Sequence, residues 1–190
     1  MQDTTLILER AAHDAFGRYQ QDEVNGFTDE LLDRFLDRLQ LTGGEKVLDA
    51  MAGAGNLPLR LHAYCQRKGI PFPDVTVVEY SRVQYEFARA ALASLPVRVL
   101  WGDAVAMSDR GPGEPLPDAS FDRVVIKSAN HEIPLDQQER LYGSILRVLK
   151  QNNLAKSFLQ DVDAIIQNIL NKKDVVACVG AMKSVNSYLY

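Results

Sequence analysis

Lys46–Leu61 reads KVLDAMAGAGNLPLRL, an apolar run carrying one acid, then two close glycines, then a second apolar run. The first run has the character of a short buried strand, Lys46 to Ala50. The second opens a helix over Asn56 to Lys68, with Pro58 acceptable in its first turn. Gly53 and Gly55 stand where strand passes into helix. Lacking side chains, they let backbone approach a ligand closely and permit φ > 0. Alone, Gly-x-Gly is equally a tight turn that holds nothing. A dinucleotide fingerprint calls for a third glycine at position 58, where Pro58 stands, and no P-loop Gly-Lys-Ser/Thr follows.

Outward from this turn, strand and helix signals alternate. Before it, Thr28 to Leu41 repeats Leu31, Leu32, Phe35, Leu36 and Leu39 at helical spacing, with Thr28 as N-cap and TGGE as the stop. After it come a β-branched strand, Val75 to Glu79, and a helix, Ser81 to Leu95, spaced through Val83, Phe87, Ala91 and Leu92. Val97 to Trp101 is a third strand. The turn-rich SDRGPGEPLPDAS leads to a fourth, Phe121 to Lys127. Asp136 to Lys150 is a helix whose DQQE start has the form of a capping box. Such alternation implies a parallel sheet of right-handed βαβ units, in which ligands bind beyond the carboxyl ends of the strands.

Three acids sit at those ends. Asp49 lies in the first strand, four residues before Gly53. Glu79 ends the second strand, where a carboxylate can accept both hydroxyls of a ribose. Asp103 follows the third and can accept from an exocyclic amine. Each has a plainer alternative as a helix cap or a solvated loop residue. Three at consecutive strand ends after a Gly-x-Gly turn favour a shared site.

With these residues in place, the sequence resembles the class I S-adenosylmethionine-dependent methyltransferases. VLDAMAGAGNLPLRL, VTVVEYS, VRVLWGDA, and SFDRVVIKSANHEIP followed by LYGSILRVLK match that family's successive motifs, from about Phe27 to Lys150. Ala-Met-Ala departs from the commonest glycine motif. The resemblance implies a three-layer α/β Rossmann-like fold with a mostly parallel sheet, shortened or altered at its C-terminal edge. It implies S-adenosyl-L-methionine as cofactor, with Gly53 and Gly55 along the methionine part, and Asp49 with Ala50 as the motif's acid and neighbour. It further implies Glu79 on the ribose hydroxyls with Tyr80 beside it, and Asp103 on the adenine amine with Ala104 in the adenine pocket. Lys127 is counted with this set, its alternative being a solvent-facing charge. The loop Ser128 to His131 matches where such enzymes face methyl group and acceptor.

Methyl transfer from a sulfonium is an in-line displacement at an activated carbon, so a base is needed only if the acceptor must lose a proton. His131 is the candidate base, and equally a structural hydrogen-bonder; Asn130 orients an acceptor or caps a turn. His13, His62 and His131 show no metal-ligand spacing, and no metal is expected. SANHEIP lacks the Asn/Asp-Pro-Pro-aromatic motif of the family's DNA amino-methylating members, and a formal net charge of −4 argues against a broad nucleic-acid surface. By elimination the acceptor is a small molecule. Two alternatives stand beside this reading, a truncated nucleoside-binding fold without catalysis and, less favoured because of Pro58, a nicotinamide-dependent oxidoreductase.

The 190 residues, 46% hydrophobic and 24% charged, fit one ordinary globular domain. Cys65 and Cys178 lie far apart and read as reduced apolar residues. No signal-peptide pattern opens the chain and no apolar run reaches the ~18 residues of a membrane span, so a cytoplasmic location is expected. The expected division is a cofactor-binding domain over 1–150, its first 26 residues a lead-in, and an atypical tail over 151–190. In the tail an amphipathic helix runs through Leu154, Phe158, Leu159, Val162, Ile165, Ile166, Ile169 and Leu170, and Val175 to Val179 form one strand. A shortened variant, a helical insertion and a frame ended by foreign sequence all account for the tail. Its 154–170 helix, or an exposed sheet edge, offers a route to self-association.

Overall fold

A computed structural model describes residues 29–109, 113–127, 129 and 132–150. The tail expectations, the N-terminal lead-in, the Thr28 cap and Cys178 lie outside these residues. In chain order the elements are α1 (Asp29–Asp37), β1 (Lys46–Ala50), α2 (Asn56–Lys68), β2 (Asp74–Glu79), α3 (Arg82–Ala91), β3 (Val97–Asp103), β4 (Ser108–Asp109), β5 (Arg123–Val125) and α4 (Leu135–Val148). β1 and α2 have the bounds that apolar periodicity predicts. The fourth parallel strand, β5, is shorter than Phe121 to Lys127.

The five strands form one sheet in the order β4-β3-β2-β1-β5. β2 and β5 flank β1 in parallel, with Asp49 level with Val77 on one side and Val125 on the other. β3 extends the sheet in parallel beyond β2. The chain therefore builds outward from β1 in one direction and then crosses to its other side. Such a reversal is where open sheets of this kind form a ligand crevice, here above the carboxyl ends of β1 and β5. The antiparallel β4, which folds back on the end of β3, is not legible in the turn-rich SDRGPGEPLPDAS segment. Gly102 makes it fit, because a Cβ there would collide with the Ser108 carbonyl oxygen.

Strand alternation divides the core in two. Val47, Val75, Val77 and Val125 face α1, α2 and α3, packing with Leu36, Leu57, Leu61, Ala88 and Leu92. Leu48, Ala50, Val78 and Leu100 face α4, packing with Leu141, Ile145 and Val148. The buried stripe of α3 is Gln84, Ala88 and Leu92; of the Val83, Phe87, Ala91 and Leu92 set that periodicity selects, Leu92 is buried and Phe87 half-buried, while Val83 and Ala91 are exposed. The two stripes lie next to each other on the helix, and the fit of Gly55 against Ala88 and Leu92 decides between them.

The start of α4 also differs. The helix begins at Leu135 after Pro134 with no side-chain cap, so DQQE makes no capping box. Instead Gln138 Nε2 donates to the Ile133 carbonyl. After α4, Leu149 bridges to Phe121 in parallel and Lys150 N–H donates to the Phe121 carbonyl, bringing the chain back alongside the approach to β5.

Candidate functional site

The glycine turn is held from below by β2. Met51 and Ala52 N–H both donate to the Val78 carbonyl, and Gly55 N–H closes the turn onto the Ala52 carbonyl. Met51, Gly53 and Gly55 all have positive φ, at 64°, 57° and 83°. For Met51 this costs about 1–2 kcal/mol relative to an ordinary backbone conformation, and its side chain packs against the α4-side core. A strained non-glycine residue thus stands at the mouth of the crevice, where such strain tends to collect in proteins.

The two glycines have different duties. Gly53 N–H donates to Glu79 Oε2 at 2.7 Å, while Glu79 Oε1 accepts from Ser81 N–H at 2.7 Å. One carboxylate thereby ties the glycine turn to the start of α3. The room left by Gly55 is taken by α3 rather than left open, since a Cβ there would lie 3.0 Å from Leu92 Cδ1 and 3.3 Å from Ala88 Cα. The close helix packing that a dinucleotide fingerprint asks of its third glycine is supplied here by Gly55, with Pro58 buried in the first turn of α2.

Alternation places the acids together. Asp49 shares the parity of Val47, Glu79 that of Val75 and Val77, and Asp103 that of Val97 and Val99. All three therefore belong to the sheet face covered by α2 and α3. Asp49 is buried and its Oδ2 has no hydrogen-bond partner. Burial pushes its carboxyl up to about 8, the Lys127 charge opposing and the Glu79 charge adding. Asp103 Oδ1 accepts from Val105 N–H at 2.8 Å and so shapes the turn into β4.

Around these, Tyr80 is half-buried and its carbonyl accepts from Trp101 Nε1–H at 2.9 Å. Lys127 lies two residues past β5, close enough for its charge to act on Asp49. Ala50 and Ala104 bury their methyl groups in the α4-side core, leaving backbone as what they offer a ligand. Asn130 and His131 lie outside the described residues. No group of His, Cys, Asp or Glu among the described residues could hold a metal ion.

Sequence reasoning missed three features. Met51 carries strain at the crevice. Arg82 lays its guanidinium over the Trp101 ring, 4.8 Å from its centroid, beside Tyr80. Gln84 is buried on α3 with neither side-chain polar atom paired. A glutamine four residues before Ala88 and eight before Leu92 is the available signal for the last.

A family model described as a methyltransferase domain matches residues 47–152. Solved structures share the fold. An S-adenosylmethionine-dependent methyltransferase from Aquifex aeolicus matches with a TM-score of 0.52 at 21% identity, over 74% of this chain and 67% of that one. A chain from the Haloferax volcanii complex of the Trm112 methyltransferase activator with a methyltransferase gives 0.53 at 24%, over 73% and 55%. Phosphoethanolamine N-methyltransferase 1 from Haemonchus contortus, held with phosphoethanolamine and S-adenosylhomocysteine, gives 0.53 at 15%, over 76% and 30%. This chain spans about half the length of several of the structures it matches, from 41% to 58% for five of them.

Proposed function

This chain belongs to the methyltransferase-domain family, and from that premise we propose that it transfers a methyl group from S-adenosyl-L-methionine to a small-molecule acceptor. The observation that carries the reading is the placement of Asp49, Glu79 and Asp103 on one sheet face at consecutive strand ends, with Glu79 bound to the glycine turn. The residues present suit that cofactor. Its sulfonium and ammonium are cationic, and its ribose and adenine offer donors, so the Glu79 and Asp103 carboxylates complement it in charge and in hydrogen bonding, while the buried Asp49 carboxyl, pushed up to about 8, offers hydrogen bonding.

In this reading Gly53 and the backbone of Ala50 and Gly55 run beside the methionine part, with Asp49 beneath. Glu79 takes the ribose hydroxyls and Tyr80 flanks the nucleoside. Asp103 meets the adenine amine next to Ala104, and Lys127 tempers the negative charge of the cradle. The bound sulfonium supplies an activated methyl carbon. The protein's own work is to bind, to align the acceptor and to exclude water. Where an acceptor must lose a proton, His131 takes it and Asn130 orients the acceptor. Residues 1–150 form the domain that does this. No helix among the described residues is long and apolar enough to cross a membrane, and we place the chain in the cytoplasm.

The test is calorimetric titration of the full chain, shown folded by circular dichroism, with S-adenosylhomocysteine. Wild type binds saturably. Glu79→Ala weakens binding roughly a hundredfold, and Asp103→Ala roughly tenfold, from charged hydrogen bonds worth about 1.5–3 kcal/mol each. Folded wild-type protein that gives no binding heat overturns the reading. Binding without turnover across an acceptor screen would leave a nucleoside-binding fold without catalysis.

A further inference from the structure

Gln84 is 1% exposed, and both its Oε1 and its Nε2 are buried without a hydrogen-bond partner. An amide in that condition is costly to a fold, because its desolvation goes uncompensated. Its place in the structure suggests a use. It shares the α3 stripe with Ala88 and Leu92, and that stripe faces Gly55. Three residues before it, Ser81 is tied through the Glu79 carboxylate to Gly53, and Ser81 Oγ accepts from Gln84 N–H. Gln84 therefore falls between the two ties that hold the glycine turn to α3, one at Gly53 and one at Gly55. The same sheet face carries a second buried atom without a partner, Asp49 Oδ2, in the strand that feeds the turn.

We propose that Gln84 is a positioning residue for the glycine turn, its amide unpaired in the free chain and paired when the turn settles around a nucleoside-bearing ligand. The inference rests on the cofactor reading above and adds to it. Part of the binding free energy comes from satisfying a polar group that the free fold leaves unsatisfied. A glutamine that served packing alone would have no reason to affect affinity.

The experiment compares wild type, Gln84→Met and the control Val83→Met, an exposed position on the same helix, by thermal unfolding of the free chain and by titration with S-adenosylhomocysteine. Methionine keeps the volume and removes the unpaired amide. Gln84→Met is expected to raise Tm by roughly 2–5 °C while weakening binding about tenfold or more, with Val83→Met near wild type in both. Stability and affinity moving in opposite directions is the signature of a group satisfied only with ligand. If Gln84→Met binds within about twofold of wild type, the proposal is overturned. It is also overturned if Gln84→Met lowers Tm, since the amide then has a partner in the free chain. If wild type itself does not bind, the cofactor reading falls and takes this proposal with it.

Discussion

The Asp49 carboxyl, pushed by burial up to about 8 against an ordinary 3.8, makes the stability of the fold depend on pH in an unusual direction. A folded-state value above the unfolded one contributes stability that is complete below about 4 and is lost as pH rises through about 8, at no more than about 1.4 kcal/mol per pH unit. Asp49→Asn cannot ionise. It should therefore flatten the fall in Tm expected of the wild type between pH 5 and pH 8, and equal slopes in the two proteins would refute the assignment. Asp49 was visible in the sequence as an acid inside an apolar strand. Its unpaired oxygen was not, because the atoms that surround it come from elements distant along the chain. Met51 presents the same contrast: the letters Ala-Met-Ala can be read directly, but its positive φ follows from Met51 and Ala52 both donating to Val78.

Among the elements, the junction of α2 and α3 decides the shape of the crevice. Gly55 lets α3 come close, and Leu92 and Ala88 occupy the space a side chain would need. Gly55→Ala meets two penalties. A positive φ of 83° costs about 1–2 kcal/mol for any residue with a Cβ, and overpacking against Leu92 and the α3 backbone adds roughly 1–3 kcal/mol. A urea-unfolding midpoint unchanged from wild type would count against this packing role. Period and turn residues were enough to bound β1 and α2. They did not settle which stripe of α3 is buried, since Val83 and Gln84 lie on adjacent stripes and only the contact with Gly55 selects between them. The hairpin of β3 and β4 was likewise hidden, because a two-residue strand leaves no periodic signal.

At the scale of the molecule, the second half of the sheet is held by a few long-range polar ties. Arg147 in α4 donates to the Leu116 carbonyl at 2.7 Å and to Asp118 Oδ1 at 2.6 Å, fastening the segment after β4 to the helix. Asp122 Oδ2 accepts from Lys46 N–H and from Lys150 Nζ, joining the start of β1, the approach to β5 and the end of α4. Arg147→Met should lower stability by about 2 kcal/mol, read by urea unfolding; its partial exposure keeps the loss from being larger. Acid should loosen the same region. Partial burial raises Asp122, but the Lys150 ammonium and the Lys46 N–H outweigh it and hold the carboxyl below its ordinary value. Partial burial likewise raises Glu45, and hydrogen bonds from Thr42 and Gly43 bring it to about 2. Both contribute stability above the unfolded carboxylate range that is lost as pH falls through their folded values.

By itself, the sequence determined the alternation of strands and helices, the parallel sheet and the three acids at strand ends, because apolar periodicity and turn residues act locally. Tertiary structure alone decided that these acids share one face around a reversal at β1, that Glu79 binds the glycine turn, and that Gln84 is buried unpaired beside it. Each of those facts depends on which distant elements meet, and no local pattern encodes that meeting.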